Sequence, residues 1–174
     1  MIRMLGAMVD AGGRTEELVR TLEACLTEAR IRAERLPQRP KVFFEEWDNP
    51  LISGIGWVSE LIEIAGGIDL FADRRYRRYQ GAAKDRVVTA DEVVVGEPDL
   101  IIGSRCGKKF RPERLVARPG FDRIPAVQHQ HLYKIKSSLI LQPGARRIDR
   151  WPRGASENYR AMGKSPLKAS RRLD

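Results

Sequence analysis

Three carboxylates and two indoles crowd one short run of this chain. Phe44-Glu45-Glu46-Trp47-Asp48-Asn49-Pro50-Leu51-Ile52-Ser53-Gly54-Ile55-Gly56-Trp57 sets Glu45, Glu46 and Asp48 beside Trp47 and Trp57, with an Asn-Pro turn and two spaced glycines among them. Such acids suit proton chemistry or the orientation of a polar group. Indoles suit contact with a flat, largely apolar surface. Catalysis would need further partners, and the sequence offers no nucleophile–base pair, no phosphate loop and no metal-ligand cluster. His129 and His131, in Gln128-His129-Gln130-His131, could clip a metal. Two ligands without a third read first as solvated turn histidines. Cys106, in Ser104-Arg105-Cys106-Gly107-Lys108-Lys109, precedes two lysines that would favour a reactive thiolate, which leaves a small cysteine enzyme as one reading. A small residue on a basic turn is the plainer one. Cys25, at helical intervals from Leu18, Val19 and Leu22, reads as core.

The acidic run needs elements to hold it. Lys41-Val42-Phe43-Phe44 reads as a short buried strand leading in, and residues 58–65 as a helix closed by Gly66-Gly67. In open parallel α/β sheets ligands bind on such strand-to-helix connections, at the carboxyl ends of strands. The clearest helix spans residues 14–36, where Leu18, Val19, Leu22, Cys25, Leu26, Ala29, Ala33 and Leu36 recur every three or four positions. Thr15 can cap it, and Pro37 and Pro40 end it. At about 1.5 Å per residue it would exceed roughly 30 Å, and its apolar stripe needs a surface to lie against. Residues 1–9 read as the end of a preceding element. Thr89-Ala90-Asp91-Glu92 is a capping box opening a short helix, which Glu97-Pro98 stops before the buried strand 99–103. Pro112 starts a further helix, and residues 124–127 and 132–135 read as short strands. No closing helix is expected over 137–144. Alternating strands and helices of this size imply an α/β fold in three layers, a mainly parallel sheet with helices on both faces.

The chain of 174 residues can bury one core, or a core plus an extension. No apolar run approaches the ~20 residues of a membrane span, and the first residues lack the pattern of a secretory signal, which points to the cytoplasm for the chain as written. The net charge of +9 is mostly a property of residues 145–174, a basic tail expected to be poorly ordered. Arg74-Arg75-Tyr76-Arg77-Arg78-Tyr79 could track a phosphate backbone and stack on bases. With the tail it supports a second reading, a salt-sensitive nucleic-acid-binding protein. A solvated connector is the plainer reading, and no nucleic-acid partner is expected.

Residues 41–67, with Ala83-Lys84-Asp85-Arg86-Val87, residues 96–104, residues 106–113 and residues 135–144 in the same order, resemble the C-terminal lobe of class III periplasmic binding proteins, and the helix at 14–36 matches that family's bridging helix in position and length. These are the substrate-binding components of ABC importers for vitamin B12, ferric siderophores and haem, and the vitamin B12 branch is the nearest. The resemblance implies a long bridging helix and its approach over 1–40, a ligand-binding lobe over 41–144 and a divergent tail over 145–174. It also implies an N-terminally truncated chain of periplasmic origin, lacking the other lobe. No catalysis and no resident cofactor are implied. The ligand would be cobalamin or another metal chelate, bound by Glu46, Trp47, Asp48, Ile52, Ser53, Trp57, Cys106, Lys108, Lys136 and Ser137, with Lys109 adjacent. The permease would dock at Asp91 or Glu92, Asp91 being preferred because Glu92 can complete the capping box. One lobe would bind weakly, and its exposed cleft face could self-associate.

Overall fold

Continuous apolar runs, whose successive side chains fall on opposite faces, build the sheet. In the computed structural model, which describes residues 1–74, 83–107, 110–141 and 171–173, strand β1 (Lys41–Asp48) lies beside β4 (Leu100–Gly103) in parallel. Val42 and Phe44 face one side with Leu100 and Ile102, while Phe43 faces the other with Ile101. Strand β5 (Leu132–Ile135) follows β4, and β6 (Arg171–Leu173) follows β5, both parallel. On the other edge of β1, β3 (Ile68–Asp69) pairs in parallel with its start. β2 (Leu51–Ser53) folds back antiparallel on its end.

Helices cover both faces. Helix α3 (Gly56–Ile64) seats Val58 and Ile62 on Val42, Phe44 and Tyr133, and the single-turn helix α7 (Ser137–Ile140) adds Ile140. On the opposite face α4 (Ala90–Gly96), α5 (Pro112–Val116) and α6 (Pro125–Gln128) bring Val93, Leu115 and Ala126 to Phe43, Ile101, Phe110 and Phe121. The α/β architecture read from the sequence is therefore the one observed.

Before the sheet stand α1 (Ile2–Met8) and α2 (Gly12–Glu34). They touch where Gly6 meets Thr15: a Cβ on Gly6 would lie 1.9 Å from the Thr15 hydroxyl oxygen. Thr15 does not cap α2; its hydroxyl donates to the Ala11 carbonyl at 2.9 Å, within the helical turn. The C-terminal part of α2 packs on the lobe, with Ala33 and Leu36 against Gly66. Its N-terminal part leaves Leu18 exposed, and Met1, Met4, Leu5, Met8 and Val9 of α1 are exposed beside it.

Several local expectations give way. Strand β1 continues through the acids to Asp48 instead of ending at Phe44. Residues 125–128 are helical, because Pro125 occupies a first helical position where its missing N–H costs nothing. A closing turn of helix does follow β5. Of the tail, residues 171–173 pair as β6, and the remainder, with Arg75 to Gln80, Lys108 and Lys109, lies outside the described residues.

Candidate functional site

The carboxyl ends of β1, β4 and β5 lie side by side. Glu45 is level with Gly103, and Gly103 with Lys134. One rim therefore gathers Glu46, Trp47 and Asp48 beyond β1, Ser104 to Cys106 beyond β4, and Lys136 and Ser137 beyond β5. Asn49 and Pro50, joined by a cis peptide, turn β1 back into β2, which carries Ile52 and Ser53 onto the same edge. The pairing slips between Glu45 and Trp47, so Glu46 is an extra residue on β1. Such a bulge re-aims side chains at a sheet's end.

The acids are not open to solvent as a pair. Glu45 is fully buried and accepts from Arg105 through one oxygen and from Arg118 through the other. Arg105 also donates to Asp48 at 2.8 Å. Glu46 accepts from both guanidinium nitrogens of Arg86, one of them at 3.1 Å. Arg86 donates in turn to the Ser53 carbonyl at 2.8 Å, while the Ser53 hydroxyl donates to the Arg86 carbonyl at 3.2 Å. A buried carboxylate is tolerable only with such compensation. Arg105 and Arg118 also stack on Phe110 and Phe121, each guanidinium carbon 5.3 Å from the ring centre. The three acids thus brace the rim, which is the outcome for residues whose types first suggested proton chemistry. The sequence reading missed all three arginines. Three acids closing an apolar strand were the available signal, because they demand buried cations somewhere in the chain.

The remaining assigned residues fall in two groups. Trp47 and Ile52 are half-buried on the hairpin, Cys106 and Lys136 are exposed, and Ser137 is half-buried at the start of α7. Trp47 donates its indole N–H to the Asn49 carbonyl at 3.1 Å, and Ile52 bridges to Val87. Ser53 is buried. Trp57 is half-buried against the core, its indole N–H donating to the Ile140 carbonyl at 2.8 Å, so it ties α3 to α7. Lys108 lies outside the described residues.

The Ile52–Val87 bridge brings the start of α4 to this same edge. There the capping box is complete: the Thr89 amide donates to Glu92 at 2.7 Å, and the Glu92 amide to the Thr89 hydroxyl at 3.1 Å. The Thr89 amide, with its hydroxyl and Arg74, holds the Glu92 carboxyl below the usual carboxylate range. Arg74 also donates to the Val87 carbonyl at 2.7 Å and lies over Phe71. Asp91 beside it is exposed.

Residues 1–139 match the family model described as periplasmic binding protein. No curated protein sequence matches the chain at a significant level. Among solved structures, the apo periplasmic heme-binding protein RhuT from Roseiflexus sp. RS-1 is 22% identical, with a TM-score of 0.74 over 92% of this chain and 61% of that one. A possible iron-binding periplasmic solute-binding protein from Staphylococcus epidermidis is 18% identical, with a TM-score of 0.73 over 90% and 59%. The periplasmic vitamin B12 binding protein BtuF of Vibrio cholerae is 19% identical, with a TM-score of 0.61 over 90% and 56%. The chain spans about three fifths of the length of these structures.

Proposed function

This chain belongs to the periplasmic binding protein family, and on that premise we propose that it forms the ligand-binding lobe of a solute-binding component of an ABC importer, holding cobalamin or a related metal chelate without chemical change. The observation that carries this reading is the alignment of three parallel strand ends into one rim with a half-buried indole upon it. A chelate of this kind is broad, flat and amphipathic, and needs apolar faces for contact with a few polar groups for orientation. Trp47 and Ile52 supply the face; Lys136, Ser137 and Cys106 supply the polar groups. Glu45, Glu46 and Asp48, bonded to arginines, keep the hairpin in place, and Ser53 belongs with them as a support. Trp57 stands behind the rim as an anchor.

Asp91 is the docking residue for the importer's permease. It is exposed on the first turn of α4, whereas Glu92 is committed to Thr89 and Arg74. Family membership supports an extracytoplasmic setting. The nucleic-acid reading loses support from Arg74, whose guanidinium is already bonded to Glu92 and the Val87 carbonyl.

Absorbance titration of the chain with cyanocobalamin, haemin and a ferric hydroxamate tests the proposal. Saturable spectral change with one of them, weakened at least about tenfold in Trp47→Ala, is the expected result. One rim encloses a chelate from one side, so the affinity should be weaker than micromolar. No saturable change with any chelate, together with salt-sensitive binding of duplex DNA, would reverse the assignment.

A further inference from the structure

We propose that the exposed face of α1 is the docking surface for a second copy of this chain, the two α1 helices meeting antiparallel across a two-fold axis. Helix α1 buries only Gly6, which is the residue set against Thr15 of α2. Met1, Met4, Leu5 and Met8 are 84%, 63%, 51% and 75% exposed. Residues three and four apart share one side of a helix, so positions 1, 4, 5 and 8 form a single stripe. Gly6 lies on the far side of the helix from it, and the stripe therefore faces away from α2. None of these residues belongs to the strand-end rim, and the proposal does not rest on the function given above.

The surface is large enough to need a cover. With Val9 at the end of α1 and Leu18 on α2, 72% and 44% exposed, the stripe presents on the order of 700 Å². That exceeds the roughly 300–600 Å² of the largest apolar patch on a typical monomer and approaches the roughly 800 Å² each partner gives to a standard interface. Its chemistry asks for an apolar partner. Arg3, the cation within α1, is already bonded to Glu16 at 2.8 Å and lies 3.7 Å from Glu23, so a phosphate or an acidic peptide finds no free charge on the helix. Three of the four stripe residues are methionines, whose unbranched side chains fit themselves to an irregular counterpart.

The spacing of the stripe selects a copy of itself. Positions 1, 4, 5 and 8 are symmetric about the point midway between Met4 and Leu5. Turning one helix end for end therefore sets Met1 against Met8 and Met4 against Leu5, in both directions at once. This is the isologous contact of a two-fold dimer, in which one patch is its own complement. The charges at the helix ends agree with it. An antiparallel pair brings the Met1 ammonium of each copy to the carboxyl end of the other α1, beside the exposed Asp10, where a cation is favoured. A parallel pair would instead set the two ammonium groups side by side.

Sedimentation equilibrium of the untagged chain, from about 1 to about 500 µM, should show a monomer–dimer equilibrium with a Kd on the order of 10–100 µM, as suits a contact at the small end of the interface range. Met4→Glu and Met8→Glu should each weaken it at least about tenfold, because each buries a carboxylate against an apolar partner. Both positions are exposed, so the urea midpoint should stay where it is. Asp10→Lys should weaken the dimer about threefold at low salt and less at high salt. Val95→Glu, at an 81% exposed valine on α4, should leave it unchanged. With carbon-13-labelled methionine methyls, the Met1, Met4 and Met8 signals should shift as the concentration rises, a measurement that needs no variant. A chain that stays monomeric to about 500 µM, a dimer that survives both glutamates, or one that Val95→Glu disperses as readily would each overturn the proposal.

Discussion

Arg105 and Glu45 are bonded to one another inside the carboxyl-terminal edge of the sheet, with 2% and 0% of their side chains exposed. Glu45 is the last residue of β1 paired with β4, beside Gly103, and Arg105 follows two residues beyond Gly103. Arg118, from the connection after α5, closes on the second oxygen of the same carboxylate. One glutamate therefore joins a strand to two separate connections. Asp48, through Arg105, extends the same network to the hairpin that carries Trp47.

Glu45→Ala should cost about 3–5 kcal/mol, because it strands buried Arg105 and the largely buried Arg118 without their shared counter-charge. Arg118→Ala should cost less, about 1.5–3 kcal/mol, the range for a hydrogen bond to a charged group, since Glu45 keeps Arg105. Urea unfolding of the three proteins ranks the costs. A Glu45→Ala variant within 1 kcal/mol of the parent would remove the network from the account of the rim's rigidity.

Gly103 sits at the level of Glu45 for a steric reason. A Cβ there would lie 2.1 Å from two ring carbons of Phe110, which is itself buried beneath Arg105. Gly103→Ala should therefore overpack the site and cost about 1–3 kcal/mol. At Gly54 the added atom would meet Val58 at 3.0 Å and Phe44 at 3.1 Å, contacts that smaller shifts relieve. Thermal melts should place Gly103→Ala well below Gly54→Ala, and the reverse order would show that the Phe110 ring yields freely.

What the sequence disclosed follows the range of the interactions. The alternation of Val42, Phe43 and Phe44 is local, and so is the Thr89–Glu92 box; both were legible, and so was the succession of elements that makes an α/β fold. Glu45 and Glu46 break the apolar pattern that marks a strand, so the pattern alone ends β1 at Phe44 and makes the hairpin a loop. Their partners Arg86, Arg105 and Arg118 stand 40 to 73 positions away, and no periodicity links residues across that distance. Ile124 to Val127 is a short apolar run of the kind that suits a strand or a helix equally, and Pro125 decided it.

Acid should loosen the start of α4. Glu92 titrates below its ordinary value of 4.5 because the Thr89 amide, the Thr89 hydroxyl and Arg74 favour the charged form. The folded value lies below the unfolded one, so this contribution is fully present above about pH 4.5 and is lost as the pH falls through the folded value. Glu92→Gln should flatten that part of the curve of melting temperature against pH between 5 and 3. Thr89→Ala should cost about 1 kcal/mol at neutral pH. An unchanged acid limb in Glu92→Gln would assign the acid sensitivity to other carboxylates.

Trp47 and Trp57 should separate by role. Trp57 donates its indole N–H to the Ile140 carbonyl, and Ile140 is buried. Trp57→Phe keeps most of the apolar contact but leaves that carbonyl without its donor, at a cost of about 1–3 kcal/mol. Trp47 donates its indole N–H to the Asn49 carbonyl, two residues along on an exposed turn. Trp47→Ala should change stability little and weaken the chelate titration. Trp57→Phe should do the opposite, lowering the urea midpoint while leaving the absorbance change in place. If both variants lose stability and chelate response to the same degree, the indoles act as one packed unit, and the division between a binding face and its anchor fails.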